Sequence, residues 1–271
     1  MQRSAVRPSP VFLAILAVAV AGGIVIAFGA DDPFDPSDPG GIVIAGTFFL
    51  VLAGWGVSLC LHEFGHAIVA YKGGDREVYF KGYLNLDPRK YTDPVFSLVL
   101  PLLILVIGGI PLPGGAVWIN HHALRNKRVE SMVSLAGPFS NLALGGLLIF
   151  AVSLFQPEMP GGFLTTAMEP AAALAAALSV LAMFQIMAFV LNILPVPGLD
   201  GWGAIEPYLS PEAQRFGAKA RPWAPLVLFA CLIALPGVSQ VFFDISGAVY
   251  GAVGGNENLA AAGFDAFLFW R

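Results

Sequence analysis

The string His62-Glu63-Phe64-Gly65-His66 places two imidazoles and a carboxylate within five residues. On a helix, side chains four positions apart lie on the same face, so both imidazoles can bind a single Zn²⁺. The glutamate beside them is placed to accept a proton from water that such an ion polarises. The spacing therefore predicts one zinc ion bound by His62 and His66, with Glu63 as the general base.

The same string lies inside an almost uninterrupted apolar run, residues 40–71. Ionisable groups inside a membrane span are costly to keep, so they mark a functional site by default. In a soluble protein this motif is typical of a metalloprotease. Within a span it favours hydrolysis of peptide bonds inside a bilayer over simple packing of two unligated histidines.

The composition supports a membrane location for the whole chain. Of 271 residues, 57% are hydrophobic and 12% are charged, and the mean hydropathy is +0.75. These values predict an all-α polytopic membrane protein with room for about six transmembrane helices of roughly 20 residues. The formal charge of −4 argues against a nucleic-acid partner.

The charged residues between the apolar segments predict the direction in which each span crosses the membrane. Residues 31–38 contain four acids and no base, so the positive-inside rule places this loop outside and the N-terminus in the cytoplasm. The second span then runs inward and carries the histidines towards the cytoplasmic side, which suits a multi-pass protein of the plasma membrane. The predicted spans are residues 11–30, 41–71, 132–155, 171–194, 223–236 and 238–253, followed by an interfacial tail over 256–271.

Residues 95–112 are apolar but are interrupted by prolines and glycines. If this stretch crossed the membrane, the basic cluster of Arg125, Lys127 and Arg128 would lie outside, against the positive-inside tendency. A re-entrant segment, about 95–119, avoids that conflict. It also places the end of the fourth span on the same side as the histidine pair.

At the end of that fourth span, residues 192–201 read NILPVPGLDG. Two prolines and two glycines break the helix, and irregular backbone at membrane depth is tolerated only where protein or a water-filled cavity surrounds it. A carboxylate from Asp200 can complete a three-ligand zinc site and leave the fourth position for water. The alternative is a turn or capping role for Asp200.

Three motifs together resemble the site-2 protease family of intramembrane zinc metalloproteases: HEFGH, LDG at residues 199–201, and GPFSN at residues 137–141. The combination is specific, and the family's three-helix core would cover roughly residues 41–208. Residues 1–40 would then form an N-terminal helix and acidic outer loop, and residues 209–271 the C-terminal helices and tail. The resemblance implies zinc ligands His62, His66 and Asp200, the general base Glu63, and two residues that position substrate or stabilise the transition state, Asn141 and Asn192.

The resemblance also implies a short membrane-edge β-sheet. Residues 78–80 and 114–119 have the β-branched, aromatic and glycine content of short strands. An exposed strand edge would bind an unwound substrate by β-augmentation. No PDZ or nucleotide-binding insertion is recognisable, which is typical of a compact member.

The implied substrate is a membrane protein with a single span, such as an anti-sigma factor or a signal-peptide remnant, met in the lipid bilayer. Two alternatives stay open: a metal-binding membrane protein or transporter, and a catalytically silent scaffold. Transport predicts a continuous polar path and often inverted repeats, which the sequence does not show, and the intact Glu63 disfavours a scaffold. His121 and His122 are interpreted as solvated interface residues, with pH sensing or metal binding as the alternative.

Overall fold

The fold is mainly helical in the part of the chain that the structure, a computed structural model, describes: residues 6–29, 40–91, 105, 117–154 and 170–270. No strand occurs among those residues. In chain order the helices are α1 (Pro10–Gly29), α2 (Gly41–Gly73), α3 (Glu77–Phe80), α4 (Lys127–Ser153), α5 (Pro170–Asn192), α6 (Asp200–Ile205), α7 (Pro211–Ala220), α8 (Ala224–Ala234), α9 (Pro236–Ala252) and α10 (Glu257–Phe267).

Four of these helices, α1, α2, α4 and α5, are long and apolar enough to cross a membrane. Within the described residues the count rises to five if α7 and α8, which are bent by 62°, are taken as one broken span. The expected six spans are therefore not confirmed. The two C-terminal candidates are too short, because α8 has 11 residues and α9 has 17, whereas a span needs about 20.

The prediction of a strand at residues 78–80 is wrong, because these residues belong to helix α3. The backbone N–H of Glu77 donates to the Asp75 carboxylate at 2.9 Å, which fixes the start of this helix. Val78 is buried, so its β-branched side chain reflects interior packing. Of the expected re-entrant element, residues 117–119 are irregular and the rest lies outside the described residues, except Leu105.

Glycines allow α1 and α2 to pack with their backbones in contact. A Cβ built on Gly22 would lie 2.8 Å from the carbonyl oxygen of Gly46, and one built on Gly46 would lie 2.6 Å from the Ile26 side chain. Small residues at such crossings let membrane helices approach closely. Helix α1 is therefore packed directly on the helix that carries the HEFGH motif.

The helix directions bring three chain segments to one end of the bundle. Gly73 packs against Val129, and Gly65 packs against Ala136, so α2 and α4 are antiparallel. The hydroxyl of Ser58 bonds to Gln185, and Gly54 packs against Leu181, so α2 and α5 are parallel. The connection from α2 to α4 thus begins and ends at the same end of the bundle, where α5 also ends.

The C-terminal helix α10 packs on this bundle. A Cβ built on Gly263 would lie 2.1 Å from the carbonyl oxygen of Ala176 in α5. The ring of Phe267 stacks on Phe48 of α2, with centroids 5.8 Å apart. The tail expected at the interface is therefore docked against the core through its apolar side.

Candidate metal centre

Three potential ligand side chains from two helices converge at the end of the bundle described above. Nε2 of His62 lies 3.2 Å from Oδ2 of Asp200, and Nε2 of His66 lies 3.4 Å from Oδ1 of the same carboxylate. The two Nε2 atoms are 3.1 Å apart. Ligands of a tetrahedral zinc ion with bonds of about 2.1 Å are roughly 3.4 Å apart, so this triangle fits one ion.

Hydrogen bonds to the two Nδ1 atoms determine which nitrogen of each imidazole carries the proton. Nδ1 of His66 donates to the carbonyl oxygen of Val133 at 2.7 Å, since that oxygen can only accept. Nδ1 of His62 lies 2.6 Å from Oδ1 of Asn141 and donates to it. In the neutral imidazoles, both Nε2 atoms therefore present lone pairs to the same point as the Asp200 carboxylate. A metal ion at that point would be bound by all three side chains, and outer-shell partners of this kind orient metal-binding histidines.

Glycine residues make room for this site between α2 and α4. A Cβ built on Gly137 would lie 2.2 Å from Nε2 of His66 and 2.6 Å from Nε2 of His62. A Cβ built on Gly65 would lie 2.8 Å from the carbonyl oxygen of Ala136. Any side chain at Gly137 would fill the space next to both donor atoms, which explains the glycine of the GPFSN motif.

A sharp reversal after α5 delivers Asp200 to the histidines. Gly198 adopts a positive φ of 100°, which a glycine adopts without steric cost. A Cβ built on Gly201 would lie 2.1 Å from the carbonyl oxygen of Ile193. The glycines of this segment therefore let the chain fold back tightly enough for Asp200, the first residue of α6, to face α2.

Glu63 is buried beside the triangle, with only 2% of its surface exposed. Its potential ligand atoms lie within 4.8 Å of those of His62 and His66. The backbone N–H of Val117 donates to Oε2 of Glu63 at 2.9 Å. One carboxylate oxygen is thus oriented by the protein, and the carboxylate stands close to the metal position.

The segment that carries Val117 is attached to the end of α2 at two further points. The backbone N–H of Asn120 donates to Oδ2 of the buried Asp75 at 2.8 Å. The backbone N–H of Arg125 donates to the carbonyl oxygen of Gly73 at 3.2 Å. These bonds hold the segment against the helix that supplies Glu63.

The site is enclosed on the histidine side and more open at Asp200. The side chains of His62 and His66 are 7% and 8% exposed, while that of Asp200 is 23% exposed. Access to the ligand triangle therefore lies on the α6 side.

The other residues singled out in the sequence lie outside this triangle. Asn141 is buried directly behind His62. Asn192 is buried at the end of α5, and its side chain forms no hydrogen bond with another described residue. His121 and His122 are exposed, and Nδ1 of His121 lies 2.8 Å from a carboxylate oxygen of Glu130.

Ser58 and Gln185 lie behind the site, and neither was assigned to it from the sequence. Nδ2 of Asn141 donates to Oγ of Ser58 at 2.9 Å and to Oε1 of Gln185 at 2.9 Å. Gln185 of α5 thus forms interhelical hydrogen bonds with α2 and α4. The available signal was a pair of polar residues in apolar runs, with Ser58 one helical turn before His62.

The chain is similar to proteins named as zinc metalloproteases. It is 44% identical over 270 residues to "Putative zinc metalloprotease Rip2" of Mycobacterium tuberculosis, covering 99% of this chain and 96% of the relative. Its identity to the protein of the same name in Mycolicibacterium smegmatis is 43% over 268 residues, with the same coverage. "Putative zinc metalloprotease YwhC" of Bacillus subtilis is 32% identical over 196 residues, 70% of this chain and 82% of the relative.

No protein-family model matches the chain, and no solved structure matches it. The full-length relatives and the His-Glu-His cluster, which fits one metal ion, agree on a zinc cofactor. The chain belongs to the site-2 protease family of zinc metalloproteases.

Proposed function

We propose that this protein is a zinc-dependent endopeptidase that hydrolyses a peptide bond in or near the transmembrane helix of a membrane-protein substrate. The observation that carries the proposal is the burial of Glu63 beside the triangle of His62, His66 and Asp200, on a helix long enough to span a bilayer. In such a helix an ionisable cluster needs a function or a ligand.

His62, His66 and Asp200 would hold the ion. Zinc, when bound, supplies a Lewis acid that polarises the scissile carbonyl and acidifies water. Glu63 accepts one proton from the attacking water as the water oxygen bonds to the carbonyl carbon. The same carboxyl group then passes that proton to the amide nitrogen as the C–N bond breaks, which gives a free amine and a carboxylic acid; the acid ionises by releasing the second water proton to solvent.

The position of the site along α2 bears on where the substrate is cut. Helix α2 has 33 residues, so it is about 50 Å long, and His62 lies about 30 Å from its start. A hydrocarbon core is about 30 Å thick. The site thus lies near the inner boundary of the core if residue 41 starts at the outer one.

That geometry supports cleavage close to the cytoplasmic face of the plasma membrane, with the N-terminus of the enzyme also in the cytoplasm. The substrate helix must unwind locally, because helical peptide bonds are shielded and internally hydrogen-bonded. From the family resemblance we infer a substrate with a single span, such as an anti-sigma factor or a signal-peptide remnant.

The test is cleavage of a panel of transmembrane peptides by the purified protein in detergent, with zinc content measured in parallel. Glu63→Gln keeps the shape of the side chain and removes the base. We expect it to retain zinc while cleavage falls by roughly 10²- to 10⁴-fold. A wild-type protein that binds zinc but cleaves none of the peptides would favour the metal-binding or transport alternative.

A further inference from the structure

Behind His62, three buried polar side chains from three different helices form one hydrogen-bonded group. Ser58 of α2, Asn141 of α4 and Gln185 of α5 are 1%, 3% and 0% exposed. Polar groups buried in an apolar core are costly unless they are hydrogen-bonded. The group therefore needs a specific geometry to be stable.

Asn141 lies at the centre of this group. Its Nδ2 donates one hydrogen bond to Oγ of Ser58 and one to Oε1 of Gln185, each at 2.9 Å. The hydroxyl of Ser58 in turn donates to Oε1 of Gln185. Both N–H groups of the Asn141 carboxamide are thereby satisfied, and its Oδ1 is left facing Nδ1 of His62 at 2.6 Å.

The direction of this carboxamide decides which nitrogen of His62 carries the proton. With Oδ1 towards the ring, Nδ1 is the donor and Nε2 keeps its lone pair. A reversed carboxamide would point N–H groups at Nδ1, which would then have to accept. The proton would move to Nε2, the atom that faces Asp200 at 3.2 Å, and that atom could not bind a metal.

We propose that Ser58 and Gln185 are positioning residues: together they hold the Asn141 carboxamide in the direction that keeps Nε2 of His62 free to bind zinc. The inference rests on the proposed function, because it concerns a ligand of that same site. Neither residue touches the ligand triangle, so both act through Asn141.

The burial of Gln185 supports this role. Its Nε2 has no hydrogen-bond partner within the described part of the chain, and such a group is costly when buried. The two hydrogen bonds accepted by Oε1 offset that cost. A side chain that only filled space between α2 and α5 would be more stable as leucine or methionine.

The test compares wild type with the double variant Ser58→Ala, Gln185→Leu as full chains purified in detergent. Zinc affinity is measured by competition with a chelator, and the metal geometry by the visible spectrum of the Co²⁺-substituted protein. We expect the double variant to bind zinc about 10-fold more weakly, the lower end of the effect of outer-shell changes, and to give an altered Co²⁺ spectrum.

A matched control variant separates positioning from packing. Ser246→Ala removes an equally buried hydroxyl, 1% exposed, which bonds to the Phe242 carbonyl in its own helix. It should leave zinc affinity and the Co²⁺ spectrum unchanged. If the double variant does not fold, the single variants Ser58→Ala and Ser246→Ala are compared instead, by the same measurements of zinc affinity and Co²⁺ spectrum.

A double variant with wild-type zinc affinity and Co²⁺ spectrum would overturn the inference and leave the proposed function standing. A Ser58→Ala protein that does not differ from Ser246→Ala in these measurements would overturn it equally. Wild-type protein that binds no zinc would instead remove the proposed function, and the inference with it.

Discussion

Gly137 of α4 and His66 of α2 approach so closely that a methyl carbon on the glycine would lie 2.2 Å from Nε2 of the histidine. The backbone of α4 thus forms one wall of the metal site. The identity of a residue that offers no ligand is therefore as important for the site as the ligands themselves.

Gly137→Ala should abolish zinc binding, because its methyl group would occupy the space beside both Nε2 atoms. Gly146→Ala is the matched control in the same helix, since a Cβ there meets nothing within 4 Å. That change should stabilise α4 by up to about 1 kcal/mol. Zinc stoichiometry and thermal unfolding of the two purified variants check both expectations. Full zinc occupancy in Gly137→Ala would show that the site lies elsewhere.

Asn141→Leu should weaken zinc binding by about 10- to 100-fold, because Nδ1 of His62 loses the acceptor that fixes its proton. Asn141→Asp keeps an oxygen opposite Nδ1 and should stay near wild-type affinity. Chelator competition measures both variants. Equal losses in the two would mean that Asn141 acts through its amide N–H groups rather than through Oδ1.

Gly201→Ala should displace Asp200 from the histidines, because the added methyl group would lie 2.1 Å from the carbonyl oxygen of Ile193. We expect zinc content to fall while the helical content of the protein is retained. Gly251→Ala in α9 is the control, since a Cβ there meets nothing within 4 Å. Zinc analysis and circular dichroism report the two properties separately, and retained zinc would show that the reversal after α5 tolerates a side chain.

Asp87→Ala should destabilise the protein by about 1 kcal/mol near neutral pH, the usual effect of losing a helix cap. Asp87 caps the 3₁₀ turn Pro88–Lys90 by accepting the Arg89 N–H. The hydroxyl of Tyr91, next in the chain, donates to the Cys60 carbonyl oxygen of α2, so the turn is tied to the helix of the metal site.

The effect of Asp87→Ala should depend on pH. Hydrogen bonds from the Arg89 side chain hold the pKa of Asp87 below its usual value. A depressed folded-state pKa stabilises the protein above the unfolded pKa, about 3.9, and this contribution disappears as the pH falls further. Thermal unfolding in detergent at about pH 7 and about pH 3 measures the difference. A loss of stability that is the same at both values would contradict the charged interaction.

The long spans could be predicted from sequence because apolar length alone specifies them. The expected spans at residues 11–30, 41–71, 132–155 and 171–194 correspond to α1, α2, α4 and α5. The C-terminal third could not be predicted in the same way. Pro236 separates two short helices there, and hydropathy does not distinguish a span from short helices that pack on the bundle.

Only the site residues that belong to short sequence motifs with a recognisable chemistry could be predicted. The spacing of His62 and His66 places both on one helical face, and the structure brings Asp200 to them. The roles of Gly137 and Gln185 depend instead on how closely α2, α4 and α5 pack. Nothing in a single sequence specifies those interhelical distances.

Two of the proposed ligands precede α4 and α5 in the chain, and the third follows them. His62 and His66 enter the membrane early, with α2, whereas Asp200 follows α5. The chain must be synthesised through Asp200, and α5 inserted, before all three ligand atoms can meet. The proposed ligand set is thus incomplete in any nascent chain that ends before Asp200.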